Sequence, residues 1–192
     1  LPVATKREPG EWYIPLERGD KVAGIGYFGI WITEKYGGLG MGCFGYCLVT
    51  AELSRGWMSV ASLIARGNLL IGSHMMSEEQ KSRYLGPMLH GDEVWCQMFS
   101  EPGAGSDLAA GQTRARQNDD GGWTLNGQKV WTTNAHFASY GLLLARTDAD
   151  VPKHKGMTMF IVPMDAEGVT VRGLRQISGE AEFNEVFFDD TQ

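Results

Sequence analysis

Near Gly91 the texture of the chain changes, and that change restricts the fold more than any other feature. Before it, apolar residues recur three and four apart, over Cys43 to Ser54 and over Met58 to Met75, as in Leu63, Ile64, Leu69 and Leu70. That is the spacing of one helix face. Arg55-Gly56 separates these two helices, and a shorter glycine-diluted segment precedes them at Asp20 to Ile30. Ser77 followed by Gln80 three residues later is a capping-box start, and Gly86-Pro87 marks the end of that helix. From Glu93 onward short apolar runs alternate with turn residues: Val94 to Phe99, Gln112 to Gln117, Trp123 to Thr133, Tyr140 to Arg146, Met157 to Val162, Val169 to Arg172 and Phe183 to Phe188. Asn118 to Gly122 and Asp148 to Lys155 read as polar loops. Strands that follow one another without intervening helices predict an antiparallel β-sandwich or barrel. The expected fold class is therefore α+β, with an N-terminal all-helical domain over 1–91 and a β domain over 92–192. A Rossmann fold is disfavoured because no parallel βαβ unit flanks the glycine-rich stretch described below.

Composition narrows the function classes. A net charge of −6, from 17 basic and 23 acidic residues with no long basic run, gives no electrostatic attraction to nucleic acid. The apolar stretches are interrupted by Arg66, Asn68 and His74, short of the roughly 20 apolar residues of a membrane span. The first ten residues carry Lys6, Arg7 and Glu8 with no apolar run behind them, unlike a secretory signal. Three cysteines, an odd number, are expected as reduced thiols. Cys43 and Cys47 share a helix face but have no further His or Cys at zinc-like spacing, and the four histidines are scattered, so no metal site is expected.

Two segments carry chemistry. Glu101-Pro102-Gly103-Ala104-Gly105-Ser106-Asp107 follows a strand-like run, and its glycines are expected to take positive φ so that backbone N–H groups converge on an anion such as a pyrophosphate. Gly127-Gln128-Lys129-Val130-Trp131-Thr132-Thr133-Asn134 follows an Asn126-Gly127 hairpin signal and sets an aromatic ring beside two hydroxyls, a group that can flank a flat hydrogen-bonding ring such as an isoalloxazine. Each alone is only moderately specific. Glu101 and Asp107 are read as turn and helix-end caps ahead of an acid/base pair. Glu52 is read as a solvated charge, the Met- and Leu-rich positions Met58, Met75 and Met76 as helix packing, and Lys153-His154-Lys155 as a solvated turn.

These two segments resemble the flavin-binding signatures of the acyl-CoA dehydrogenase family. The resemblance extends in family order to Glu34-Lys35-Tyr36-Gly37-Gly38-Leu39-Gly40, to Glu78 through Lys81 with Tyr84-Leu85-Gly86-Pro87, and to Phe183 through Asp190. It implies FAD-dependent α,β-dehydrogenation of an acyl-CoA thioester, in which a base takes the α-proton and the β-hydrogen leaves as hydride to flavin. It also implies an electron-transfer flavoprotein as acceptor, a homo-oligomer (a tetramer in many members), and a bacterial cytoplasm ahead of a mitochondrial matrix. Carried onto this chain, the cofactor-binding residues are Gln97, Met98, Phe99, Ser100, Gly105, Ser106, Trp131, Thr132 and Thr133. Ser100 would bond the ring edge, Ser106 would meet the pyrophosphate and also touch the acyl-CoA, Trp131 would cover one ring face, and Thr133 would sit near N5. Gln97 stands where many members have an aromatic, and Thr132 where isoleucine is common. Family members continue past the last strand into a helical domain that supplies the catalytic base, so no catalytic residue is expected in these 192 residues. An acyl-CoA oxidase or flavin monooxygenase of the same fold, and a non-catalytic flavin- or CoA-binding subunit, remain as alternatives.

Overall fold

The computed structural model describes residues 22–58, 60–62, 64–65 and 75–192. The chain divides into two compact units, Leu1–Val94 and Trp95–Gln192.

In the first unit, the helix predicted over 43–54 spans Gly42–Gly56, and Trp57 follows in extended conformation. The segment predicted over 20–30 is broken instead into helical residues 22–24 and a 3-10 turn at Tyr27–Gly29. Of the helix predicted over 58–75, residues 58, 60–62, 64 and 65 are helical, while Leu63, Leu69 and Leu70 lie outside the described residues. Phe28, Ile30 and Ile64 form a buried cluster, against which Tyr46, Val49 and Leu53 pack from the Gly42–Gly56 helix. Met58 and Met75, expected in packing, are exposed; Glu52 is exposed, as expected, and pairs with Arg55. The Glu78–His90 helix starts as predicted: Gln80 N–H donates to Ser77 Oγ, and Ser77 N–H to Gln80 Oε1. It does not stop at Gly86-Pro87. Pro87 sits in the last turn, where the lost N–H removes a single bond, and burial of Leu85 and Met88 carries the helix onward. Gly91, at φ 79°, ends it: its N–H reaches Met88 O while Asp92 N–H reaches Pro87 O, the Schellman pattern.

In the second unit all seven predicted runs are strands: β1 (Trp95–Met98), β2 (Arg114–Gln117), β3 (Trp123–Thr133), β4 (Tyr140–Arg146), β5 (Met157–Pro163), β6 (Val169–Leu174) and β7 (Phe183–Thr191). They form one sheet in the order β1-β4-β2-β3-β7-β6, with β5 antiparallel to β4 along its whole length. The sheet is mixed, which corrects the purely antiparallel expectation. β1 pairs parallel with Tyr140 to Leu143, and β2 pairs parallel with Arg146, so the two lie end to end along one edge of β4. Period-2 patterning cannot distinguish a parallel from an antiparallel neighbour, because it reports faces and not directions. Cys96, Met98, Ala115, Leu125, Leu143, Ala145, Val162, Val186 and Phe188, drawn from six of the strands, make the core. In β7 the buried Asn184, Val186 and Phe188 alternate with partly exposed Phe183, Glu185 and Phe187.

Two bulges shape β3. Between the pairs Leu125–Thr191 and Gly127–Phe188, β7 carries the extra residue; between Lys129–Val186 and Thr132–Asn184, β3 carries it. The insertions cancel, so the register beyond Thr132 is the same as at Leu125. Asn126-Gly127 is therefore not a hairpin turn but the middle of an 11-residue strand. Gly127 has φ 149°, and a Cβ there would lie 2.7 Å from Thr113 Cα; the residue is needed where the chain at Thr113 crosses β3.

Candidate functional site

Because β1 and β2 share one edge of β4, the chain between them must leave the sheet and return to it close by. Residues 99–113 make that excursion. Glu101 N–H donates to Ala104 O (2.9 Å) and Ala104 N–H to Glu101 O (3.1 Å), closing a tip at exposed Pro102 and Gly103. A 3-10 turn follows at Leu108–Ala110. The positive φ expected of Gly103 and Gly105 is not found, and a Cβ on either would meet nothing within 4 Å. No conformational demand of the chain itself requires glycine at these two places. What glycine provides is clear space in front of an exposed backbone, which suits close approach by a ligand.

The loop is held from inside by an ion pair. Lys129 Nζ lies 2.8 Å from Glu101 Oε1, with the side chains 0% and 7% exposed. Lys129 also donates to Phe99 O (3.1 Å), while the carboxylate accepts from Gln112 N–H (2.6 Å) and Thr113 N–H (2.9 Å). One pair thus gathers both ends of the loop and the middle of β3. Burial works to raise the Glu101 carboxyl, but the Gln112 N–H, Lys129 and the Thr113 N–H outweigh it and hold the carboxyl below its usual range. Burial draws the Lys129 ammonium down, against the pull of Glu101. Glu101 is a structural cap, as its place before Pro102 suggested.

A second cation works from outside the loop. Arg146, at the end of β4, donates to Gly111 O (3.1 Å), Ala109 O and Lys153 O (3.3 Å). Lys153 is not simply solvated, since its Nζ pairs with Asp107 at the start of the 3-10 turn. Neither Arg146 nor Lys129 stands out by spacing. A lone cation in a strand reads as solvent-facing, and only the pairing of β1, β2 and β4 brings these residues to the loop carbonyls.

The β3 side is set by its bulge. Trp131 occupies it at φ 60°, a conformation that costs a non-glycine residue about 1–3 kcal/mol. The residue is 61% exposed, with the Phe183 ring edge-on to its indole at 6.1 Å. Such strain is retained only where surrounding structure holds it, and bulges cluster beside functional sites, where they re-aim a side chain. Thr132 is fully buried, and its hydroxyl has no hydrogen-bond partner among the described residues. Its carbonyl accepts from Asn184 Nδ2 (2.9 Å). Thr133 is half-buried opposite Phe183.

The sequence-selected residues thus fall into two groups meeting at one seam. Val130 N–H donates to Ser100 O (2.9 Å), joining the end of β1 to the strand that carries Trp131, Thr132 and Thr133. Phe99 and Ser100 are half-buried, and Gly105 and Ser106 are exposed. Gln97 is half-buried in β1, whereas Met98 lies fully buried in the core, where its side chain is closed to a ligand. Glu101, Lys129, Thr113 and Arg146 are the residues that spacing did not select. Two of them stand inside the recognised segments with opposite charges, which is the signal that could have paired them.

Among known proteins, the acyl-CoA dehydrogenase N-terminal domain matches residues 1–92, and the acyl-CoA dehydrogenase middle domain matches residues 96–191. An acyl-CoA dehydrogenase of Mycobacterium tuberculosis is 48% identical over 139 residues, covering 72% of this chain and 18% of that protein. The human mitochondrial short-chain specific acyl-CoA dehydrogenase is 34% identical over 196 residues, covering 98% of this chain and 47% of the relative. The crystal structure of a glutaryl-CoA dehydrogenase from Mycobacterium smegmatis in complex with FADH2 superposes with a TM-score of 0.81 at 30% identity, over 93% of this chain and 45% of that one. The chain spans less than half the length of each. With one family model matched over residues 1–92 and a second over residues 96–191, the chain belongs to the acyl-CoA dehydrogenase family.

Proposed function

We propose that this chain is the flavin-binding portion of an FAD-dependent acyl-CoA dehydrogenase that acts on an acyl-CoA thioester. The observation that carries the reading is Trp131, a large indole kept mostly in solvent by a strained bulge, across the seam from a loop whose glycines clear the backbone. An aromatic face and an open backbone on one seam suit a flat ring with an anionic tail. Gln97, Met98 through its backbone, Phe99, Ser100, Gly105, Ser106, Trp131, Thr132 and Thr133 would hold the cofactor, and Ser106 would also meet the acyl-CoA. Bound FAD would supply the acceptor for the hydrogen and electrons leaving the substrate. The protein's own part is to orient the ring, exclude water from it and hold the loop still.

Glu101 is not the base in this proposal, because its carboxylate is already committed to Lys129 and two backbone N–H groups. Asp107 is committed to Lys153. We assign no catalytic base to the described residues. An electron-transfer flavoprotein is the proposed acceptor, a bacterial cytoplasm the proposed setting and a homotetramer the proposed assembly. Association is supported by Phe44 and Leu48, which stand exposed four residues apart on the Gly42–Gly56 helix; light scattering that finds a monomer at high concentration would count against it. The test of the cofactor reading is the visible spectrum of the chain after incubation with FAD and gel filtration. Retained flavin absorbance that Trp131→Ala abolishes supports it. Failure to retain flavin at any FAD concentration would refute it.

A further inference from the structure

Glu101 and Lys129 belong to the two segments that meet at the seam, yet both side chains are shut away from solvent. A buried ion pair is poor evidence for stability, since well-packed apolar residues often replace one at no cost. The partners of this pair explain why it is ionic. Phe99 O, Gln112 N–H and Thr113 N–H all end on it, and they come from the departure and the return of the same loop. An apolar pair would leave all three without this partner, the Thr113 N–H in a fully buried place. The outer ties of the loop, from Arg146 to Ala109 O and Gly111 O, lie further along and do not reach Phe99 or β3.

From this geometry we infer that Glu101–Lys129 is a latch that locks the 99–113 loop to the bulged segment of β3, so that the exposed backbone of Gly103 to Ser106 and the Trp131 indole are held in one fixed relation before ligand arrives. Both residues are positioning residues: they touch no ligand, and they act through the loop backbone and β3. The effect on flavin rests on the cofactor reading above; the effect on the loop does not. A preorganised loop needs no ordering on binding, so loss of the latch is felt as weaker affinity and a looser apo loop, with the rest of the sheet unchanged.

The test compares the full chain with Glu101→Gln and with the double variant Glu101→Gln/Lys129→Met, which removes both charges and strands neither. Amide hydrogen exchange of the apo chain is expected to be at least about tenfold faster in residues 102–111 of both variants and unchanged in β4 and β5, and the FAD dissociation constant to rise at least about tenfold. Folded variants with wild-type exchange in 102–111 would overturn the latch. Faster exchange with unchanged FAD affinity would overturn its positioning role. If the wild-type chain binds no FAD, the cofactor reading fails, while the exchange comparison still decides whether the pair locks the loop. Should Glu101→Gln, which leaves the Lys129 charge without its counterion, fail to fold, the double variant alone decides, because no charge is stranded in it.

Discussion

Each unit holds a Lys–Glu pair at nearly the same distance. In the helical unit Lys35 Nζ meets Glu78 Oε2 at 2.9 Å, with side chains 69% and 64% exposed; in the β unit Lys129 meets Glu101 at 2.8 Å, with 0% and 7%. Distance alone would call them equivalent. Solvent separates them, since water screens the first pair and leaves it worth little, while the second has traded hydration for fixed partners. The surface pair is also promiscuous: Glu78 accepts from Lys81, Tyr36 and Lys35, which together hold its carboxyl down to about 2. A buried pair cannot rearrange in that way. It marks a position the fold must specify, whereas a surface pair marks only a local convenience.

Lys129→Met should break the comparison most. It leaves the Glu101 charge buried without its counterion and is expected to cost about 3–5 kcal/mol in urea unfolding of the chain. The double variant Glu101→Gln/Lys129→Met should recover a large part of that loss, because no charge is left stranded. A double variant less stable than Lys129→Met would mean the pair contributes through packing and not through charge.

Acid sharpens the contrast next. The Glu101 carboxyl is held below its usual 4.5, so its contribution is fully present above that pH and disappears as pH falls through the lowered folded value. The melting temperature is expected to fall on acidification below about pH 4.5, less steeply in Glu101→Gln and with little dependence on salt. Glu78 is lowered as well, but its share should shrink in 1 M salt, where the screening length falls to about 3 Å.

Smaller still is the effect of the hydroxyl of Thr132, which lies on the same strand as Lys129 and is buried without a partner among the described residues. Thr132→Val is expected to stabilise the apo chain by about 1 kcal/mol in thermal unfolding, since it removes a desolvated polar group at constant shape. If it also weakens FAD binding, the hydroxyl faces the cofactor; if affinity is unchanged, Thr132 belongs to the core. The smallest effect is expected from Lys35→Ala, whose melting temperature should match wild type within about 1 °C at physiological salt.

How much of this was legible differs between the two units. The capping box at Ser77 and Gln80 was readable because its bonds span three residues of one chain segment. The stop at Gly86-Pro87 was misread, since propensity is local and burial of Leu85 and Met88 is not. All seven strands were visible as alternating runs, yet the parallel pairing of β1 and β2 with β4 was not. The positive φ expected of the motif glycines is not found. Their φ values are unremarkable, and the space before them is open, a property of the folded loop that spacing does not report.

Sequence by itself determined the order of helices and strands and the family, because those follow from side-chain period and short-range pattern. Tertiary structure alone decided that β1 and β2 share an edge, that Trp131 stands in a strained bulge, and that Lys129 finds Glu101 in a dry interior. Each of these depends on contacts between residues far apart along the chain, and on the removal of water from them, which no local pattern encodes.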